Sequence, residues 1–521
     1  MLLAAALGGV YLAWEPQSAD LAAQTFRADL FDAQGVQVWS NAWYGGFHLP
    51  GYSVLFPPLG AWLGVRLVGV LAAVASAGLF AAIAKERYGE RARVGVLWFA
   101  AATATNLLTG RITFSLGVAV GLAALLALQR GRNVLAAALS VLTVLASPVA
   151  GLFLAIAGCA VAIARRPAVA GRRAWIGGAV VALGAVAALG AIGLAFPAGG
   201  VEPFVTSAFQ NVPLFALVAL VILPGDERAL RWGVGIYAVL AIALFAFETP
   251  IGGNAARLGA LFAGPVLAVV LWGRRPLALA IVALPLLAWQ ISPAIRDFAD
   301  ADGDPSTEAA FHRPLVDELD RRTVGAPTRV HVLPTRNRWE SVYVAESYPL
   351  ARGWQRQAES DDFELFQDDN LTAEAYLSWL RERAVGYVAM PLGVDLDYLA
   401  DDEAELIESG LPYLDLAWET ADWRLYEVEG AGPFVTSADA PGPPAADARL
   451  ADLGPQSFDL TADAPGEYLV RVRYTPYWDV GEGACVQDDD GWTMVRVSTP
   501  GVIHAQAHFD LGKALGTGDR C

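Results

Sequence analysis

A chain of 521 residues with 53 acidic and 36 basic side chains carries a net charge of −17, which ordinarily marks a soluble protein with no nucleic-acid partner. It does not make the chain a soluble acidic protein, because the charge is divided unevenly. Residues 1–293 hold 18 Lys and Arg against 10 Asp and Glu, whereas residues 294–521 hold 18 against 43. The first part is mostly Ala, Leu, Val and Gly with widely spaced charges, which is membrane composition.

In chain order, about eleven hydrophobic segments are expected, at 1–14, 65–84, 94–109, 112–128, 134–147, 149–164, 174–196, 204–223, 232–247, 257–272 and 276–293. Several are shorter than the ~20 residues of a perpendicular span, so the assignment rests on their number and on charge placement. The first segment begins at Met1 and is the shortest. Either the chain start is truncated or this helix borrows apolar residues from its neighbours. A cleaved signal peptide is disfavoured, because Trp14-Glu15-Pro16 is a poor small-residue cleavage site.

Alternate loops carry Lys85, Arg87, Arg91 and Arg93; Arg130 and Arg132; Arg165, Arg166, Arg172 and Arg173; Arg228 and Arg231; Arg274 and Arg275. The other set carries Arg27, Arg111 and Arg257. The positive-inside rule makes the first set cytoplasmic. Residues 15–50, 110–111, 197–203 and 248–256 then lie outside and, with eleven spans, so does everything after 293.

The expected architecture is a polytopic α-helical membrane domain over 1–293, an extracytoplasmic α/β domain over 294–430 and a small β-sandwich-like module over 448–521. Strands are expected at 329–333, 386–390 and 423–428, with a helix from Thr372, its N-cap, to Arg383. Residues 431–447, rich in Ala, Gly, Pro and Asp, read as a linker, and 468–474 alternates with period two. Cys485 and Cys521 both fall in the acidic part and pair as a disulfide if that part is extracytoplasmic. Cys159, in an apolar run, reads as a packing residue.

The first outside loop is rich in chemistry. It holds Asp20 just past the first segment, then Asp29 and Asp32, then Trp39, Trp43, Tyr44, Gly45-Gly46, His48, Pro50 and Tyr52. Aromatics at a membrane boundary anchor helix ends among headgroups, which accounts for most of the Trp and Tyr. It does not account for three carboxylates and a histidine. Asp29 and Asp32 read as solvated charges. The loop has no metal-ligand spacing, so a general base is favoured over a metal ligand, with Asp20 the first candidate. A divalent metal cofactor is left without a motif to support it.

Arg111 and Arg257 sit where the positive-inside rule disfavours arginine. One reading is headgroup contact or pairing with Glu202 or Glu248. The other is a grip on phosphate, since guanidinium matches phosphate oxygens bidentately, with Asn254 and its neighbouring glycines adding donors.

An acid just after the first span, a long aromatic first outside loop, a many-span core and a C-terminal extracytoplasmic domain resemble the GT-C superfamily of polytopic glycosyltransferases. The stretch WYGGFHLPGYSVLFPPL, the TGR turn around Arg111, the GGNAARLG turn around Arg257, and the tail segments HVLPTRNRWESVYVA, LARGWQRQ and RYTPYWDVGEGACV are similar to uncharacterised GT-C-like membrane proteins of actinobacteria and haloarchaea. The resemblance implies transfer of a sugar from a polyprenyl-phosphate-linked donor to an envelope glycan, lipid or protein acceptor at the outer face. It places Asp20 as the catalytic acid of the first loop, and a lipid phosphate leaving group would explain the outward arginines. From the residues themselves, Arg111, Arg257, Asn254, His48, Glu202 and Glu248 are the substrate-binding candidates. Many members carry a second acid in the second outside loop, which here is only Gly110-Arg111. The competing readings are a multi-span transporter and a non-catalytic envelope scaffold. The sequence has neither the paired halves nor the mid-span charges of a transporter.

Overall fold

The computed structural model describes residues 1–164, 172–197, 200–355, 357, 365–366, 370–438, 444–516 and 521. The basic loop residues Arg165 and Arg166, part of the LARGWQRQ segment and part of the linker over 431–447 lie outside the described residues. The chain forms two compact units. One comprises Met1–Ala33, Gly51–Gly193 and Val201–Asp302; the other comprises Gln34–Pro50, Leu194–Gly200 and Gly303–Cys521.

The first unit is helical. Its elements are α1 (Leu2–Trp14), α2 (Ala19–Gln34), α3 (Phe56–Leu63), α4 (Val65–Tyr88), α5 (Arg93–Leu108), α6 (Ile112–Gln129), α7 (Asn133–Ala146), α8 (Pro148–Ala164), α9 (Arg172–Ala195), α10 (Thr206–Phe209), α11 (Asn211–Ile222), α12 (Arg228–Ala246), α13 (Ala256–Leu271) and α14 (Pro276–Ala301). Small residues let these helices approach closely. A Cβ on Gly95 of α5 would lie 2.4 Å from the Pro265 carbonyl oxygen of α13, so any larger residue there would separate the pair.

Six helical stretches among the described residues are long and apolar enough to cross a membrane, which makes the chain a multi-pass membrane protein. The expected count of about eleven is corrected by length. Val65–Leu108 is a continuous helical stretch of 44 residues in which α4 and α5 are joined by a turn at Gly89–Ala92, and four further apolar helices have only 10–17 residues. At ~1.5 Å per residue these fall short of a ~30 Å hydrocarbon layer.

The second unit contains a mixed sheet of order β3-β4-β6-β5. Its strands are β3 (Arg329–Val332), β4 (Val385–Pro391), β5 (Leu414–Glu419) and β6 (Trp423–Val428). β3 and β4 run parallel, so the chain must cross over between them, and it does so through helix Ala373–Glu382. Thr372 caps that helix by accepting from the Ala375 N–H at 3.2 Å. Tyr376, Trp379 and Leu380 of this helix share a buried cluster with Val385, Val388 and Val428 of the sheet.

Two further four-stranded sheets follow, built from β7 (Val435–Ser437), β8 (Ala448–Gly454), β9 (Ser457–Ala462), β10 (Gly466–Arg473), β11 (Trp478–Asp479), β12 (Ala484–Asp489), β13 (Trp492–Val497) and β14 (Gly501–Ala507). Their orders are β12-β13-β10-β7 and β11-β14-β9-β8. Tyr468, Val470 and Val472 alternate inward on β10 and join Phe458, Leu460 and Ala505 of the other sheet in one core, which makes this a sandwich. Cys485 and Cys521 are disulfide-bonded, with Cα atoms 5.4 Å apart.

Residues 34–50 correct a second expectation. Their aromatics do not serve as headgroup anchors. Trp39 belongs to the sandwich core, and Trp43 is fully buried, stacked on Phe47 at 4.9 Å and donating its indole N–H to the Ser341 carbonyl at 3.0 Å. β1 (Trp39–Ser40) and β2 (Phe47–His48) form a small ladder here. An indole is buried readily when its N–H finds an acceptor, and the second unit supplies one.

One buried carboxyl in this unit gives a pH prediction. Burial pushes Glu340 up to about 7, against the opposing effects of the Thr335 hydroxyl, which donates to it at 2.7 Å, and of Arg338. A folded-state value above the unfolded one means stability is fully present below about pH 4.5 and is lost as pH rises through 7. Glu340→Gln keeps an acceptor for Thr335 and removes the ionisation. Each tenfold difference in proton affinity between the folded and unfolded chain corresponds to ~1.4 kcal/mol, so a rise from 4.5 to about 7 should give the variant about 3 kcal/mol at pH 8 and nothing at pH 4. Melting curves of the second unit at both pH values test this; an equal effect at both would contradict it.

Candidate functional site

Three helix starts meet in the helical unit. α5 ends in a two-bond turn: the Gly110 N–H donates to the Leu107 carbonyl at 3.0 Å and the Arg111 N–H to the Asn106 carbonyl at 2.9 Å. Gly110 has φ +73°, and a Cβ there would lie 2.4 Å from the Leu21 nitrogen. The turn therefore sits directly on the start of α2, a placement that needs glycine on both counts. Arg111 follows as the residue before α6, and its Nε donates to Asp20 Oδ2 at 3.1 Å. Asp20 lies in the first turn of α2, where the helix dipole favours an anion.

Arg257 enters from a third direction, in the first turn of α13 after a tight turn over Gly252–Ala255. Its Nη2 stands 3.7 Å from the same Asp20 oxygen, and its guanidinium carbon lies 5.9 Å from the Phe114 ring centre. The side chains of Asp20, Arg111 and Arg257 keep 22%, 24% and 21% exposure, enough for a ligand to reach them. Two guanidiniums, from residues at the starts of α6 and α13, thus converge on one carboxylate oxygen at the start of α2. Electrostatically this is an ion-pair cluster in which one carboxylate is shared by two cations.

Several neighbours escaped the sequence reading. Asp297 of α14 is half-buried and within electrostatic reach of both Arg111 and Asp20. The ring contact of Phe298 with Trp14, centroids 4.6 Å apart, holds this end of α14 against the end of α1. Asp297 sits in an acidic run with Asp300 and Asp302, which reads in sequence as the start of a soluble tail. Glu202, expected as a partner of these arginines, does act on the charge of Arg257, as does Tyr52 of the first outside loop. The Tyr52 hydroxyl accepts from Gln24 Nε2 at 2.6 Å, and the Arg27 guanidinium carbon lies 4.0 Å from the centre of its ring. Arg66, at the start of α4, fixes the chain before α2 by donating to the carbonyls of Glu15 (3.0 Å) and Pro16 (2.8 Å).

Glu202 stays with this cluster, whereas Asn254 and Glu248 make no hydrogen bond or ion pair to it among the described residues. Asn254 lies in the turn three residues before Arg257, its N–H donating to the Ile251 carbonyl at 2.9 Å. Glu202 is tied back to the same loop by its N–H on the Thr249 carbonyl at 2.9 Å. Glu248 is exposed and makes no ion pair with these arginines among the described residues. His48 belongs to the second unit and uses both ring nitrogens there, on the Pro197 carbonyl at 3.2 Å and the Thr475 hydroxyl at 3.0 Å. Burial pushes its pKa down to about 4, partly opposed by the Pro197 contact, so the ring is neutral at neutral pH. Asp29 and Asp32 are exposed on α2. Among the described residues, no group of three or more His, Cys, Asp or Glu is placed to hold a metal ion.

No family model matches the chain, and no curated protein does. Solved structures similar to it include the arabinofuranosyltransferase AftD from Mycobacteria. One class of a mutant AftD is 18% identical over 85% of this chain and 43% of its own, with a TM-score of 0.48. Unmutated AftD is 18% identical over 84% and 41%, with a TM-score of 0.46. The chain spans less than half the length of these structures.

Proposed function

We propose that the helical unit is a membrane glycosyltransferase of GT-C type, moving a sugar from a polyprenyl-phosphate-linked donor to an envelope acceptor on the non-cytoplasmic side. The observation that carries this reading is the shared hold of Arg111 and Arg257 on one Asp20 oxygen. A phosphate offers both guanidiniums more oxygens than a single carboxylate does, so it can take Asp20's place between them. The orientation is supported by charge. α6 starts beside Arg111 and ends at Arg130, and α13 starts beside Arg257 and ends near Arg274. Basic ends are cytoplasmic by the positive-inside rule, which turns the site outward; α14, starting after Arg274 and Arg275 and ending at Ala301, takes the chain that follows to the outer side by the same rule.

In the reaction, the donor phosphate engages Arg111 and Arg257 and releases Asp20. The acceptor hydroxyl oxygen attacks the anomeric carbon, and its proton passes to Asp20 as general base. The bond between the anomeric carbon and the phosphate oxygen breaks, its electron pair stays on that oxygen, and the two arginines hold the resulting charge. Asp297, within electrostatic reach of Arg111 and Asp20, supplies a second carboxylate that can accept from a sugar hydroxyl.

Asp20→Asn keeps the size of the side chain and removes the base. In proteoliposomes given a labelled polyprenyl-phosphate sugar, it should lower transfer by ~10²–10⁴-fold. Full transfer by this variant would show that Asp20 is not the base.

A further inference from the structure

The helical unit also holds a cavity of about 580 Å³, within the range of built small-ligand sites. Its walls are apolar, with Phe80, Leu125, Phe153, Ile156, Phe262 and Trp289 among them. At one end Tyr237 closes it, its hydroxyl donating to the Ala255 carbonyl at 2.9 Å and accepting from the Gly259 N–H at 3.3 Å. At the other end the lining changes to Glu86, Arg87, Tyr88 and Gln129, three of which are exposed. The open end is therefore the end away from Arg257.

The charges around that opening are unequal. Ion pairs tie four loops together there: Arg87 to Glu227 at 2.6 Å, Arg274 to Asp226 at 2.9 Å, and Arg130 to Glu86. Within 85–93, 130–132, 226–231 and 274–275 the chain has ten Lys and Arg against four Asp and Glu. Three of the four carboxylates are matched by those pairs. Arg91, Arg93 and Arg132 are exposed and make no ion pair among the described residues.

An apolar slot entered through a mouth of surplus arginine fits a molecule with an apolar chain and an anionic head. We propose that this cavity seats an acyl chain of an anionic phospholipid from the leaflet that meets the basic loops, with its phosphate among the exposed arginines. The site is separate from the Asp20 cluster and does not depend on the transferase reading. A zwitterionic phospholipid carries its own cation beside the phosphate and would gain less from the mouth. A polyprenyl phosphate engaged at Arg111 and Arg257 would present its phosphate at the other ends of these helices.

The test uses the full chain in mild detergent, stripped of lipid and offered phosphatidylglycerol, phosphatidylcholine or undecaprenyl phosphate, with retention read by native mass spectrometry. Phosphatidylglycerol should be retained at about one per chain, in preference to the other two. Arg91→Gln with Arg93→Gln should lower that preference by about fivefold per arginine. Gly233→Leu fills the slot, since a Cβ there meets only Ala160, at 3.5 Å, and it should abolish retention without lowering the melting temperature of the stripped protein. Equal retention of phosphatidylcholine, displacement by undecaprenyl phosphate, or no retained lipid in the unmutated chain would each overturn the proposal, whatever the variants do.

Discussion

Arg111→Gln and Arg257→Gln should each lower transfer from a polyprenyl-phosphate sugar by ~10²–10³-fold, the usual cost of removing one donor from a developing negative charge. Both side chains are partly exposed and face the same Asp20 oxygen, so neither loss leaves a deeply buried charge behind. The protein should therefore remain folded. The two effects should not add, because once one guanidinium is gone the other still has Asp20 as a partner and has less reason to release it. Lysine at either position should recover only part of the activity, since an ammonium replaces a planar fork by a point charge. The measurement is initial transfer rate against donor and, separately, acceptor concentration in proteoliposomes. Loss confined to the affinity for the acceptor would contradict a phosphate role.

Trp43→Ala should destabilise the second unit by ~3–5 kcal/mol, the range for emptying a buried large aromatic site. Trp43 is fully buried, and its loss also strands the Ser341 carbonyl that accepts from it. Trp39→Ala should act similarly, because Trp39 lies in the same core as Phe458 and Trp478. The consequence reaches the design of fragments. A piece beginning at Gly303 lacks both tryptophans and should not melt cooperatively. A fusion restoring residues 34–50 should be more stable by several kcal/mol. Identical melting of the two pieces would show that residues 34–50 are accessory to the core.

The local elements were readable where their signals were local. Thr372 announces its helix because a threonine before an amphipathic run is a strong start signal, and β10 is visible because half-buried strands alternate. Helix count was not readable from apolar runs alone, because 10–17 apolar residues look alike whether they cross a bilayer or pack within a bundle. Trp39 and Trp43 were misplaced for a different reason. Their sequence neighbours are membrane helices, but their packing partners lie about 300 or more residues away, and composition carries no record of that.

The cluster at Asp20 shows the same division. Arg111 and Arg257 stand out because arginine is scarce in their set of loops, and the helix starts then bring them to one oxygen. Asp297 does not stand out, because it is one acid in a run of acids, and only the end of α14 lying against the end of α1 brings it near. His48 stood out by type, yet its environment is a set of aromatic rings, with Trp39, Phe196 and Tyr477 all within 6 Å of its ring centre.

The central claim is that Arg111 and Arg257 are held in readiness for a lipid phosphate. A cryo-EM structure of the full chain in nanodiscs with a bound polyprenyl phosphate tests it most directly. The account predicts the phosphate between the two guanidiniums, with nitrogen–oxygen distances of ~2.7–2.9 Å to each and Asp20 displaced from at least one of them. A phosphate bound elsewhere, with both arginines still on Asp20, would contradict it.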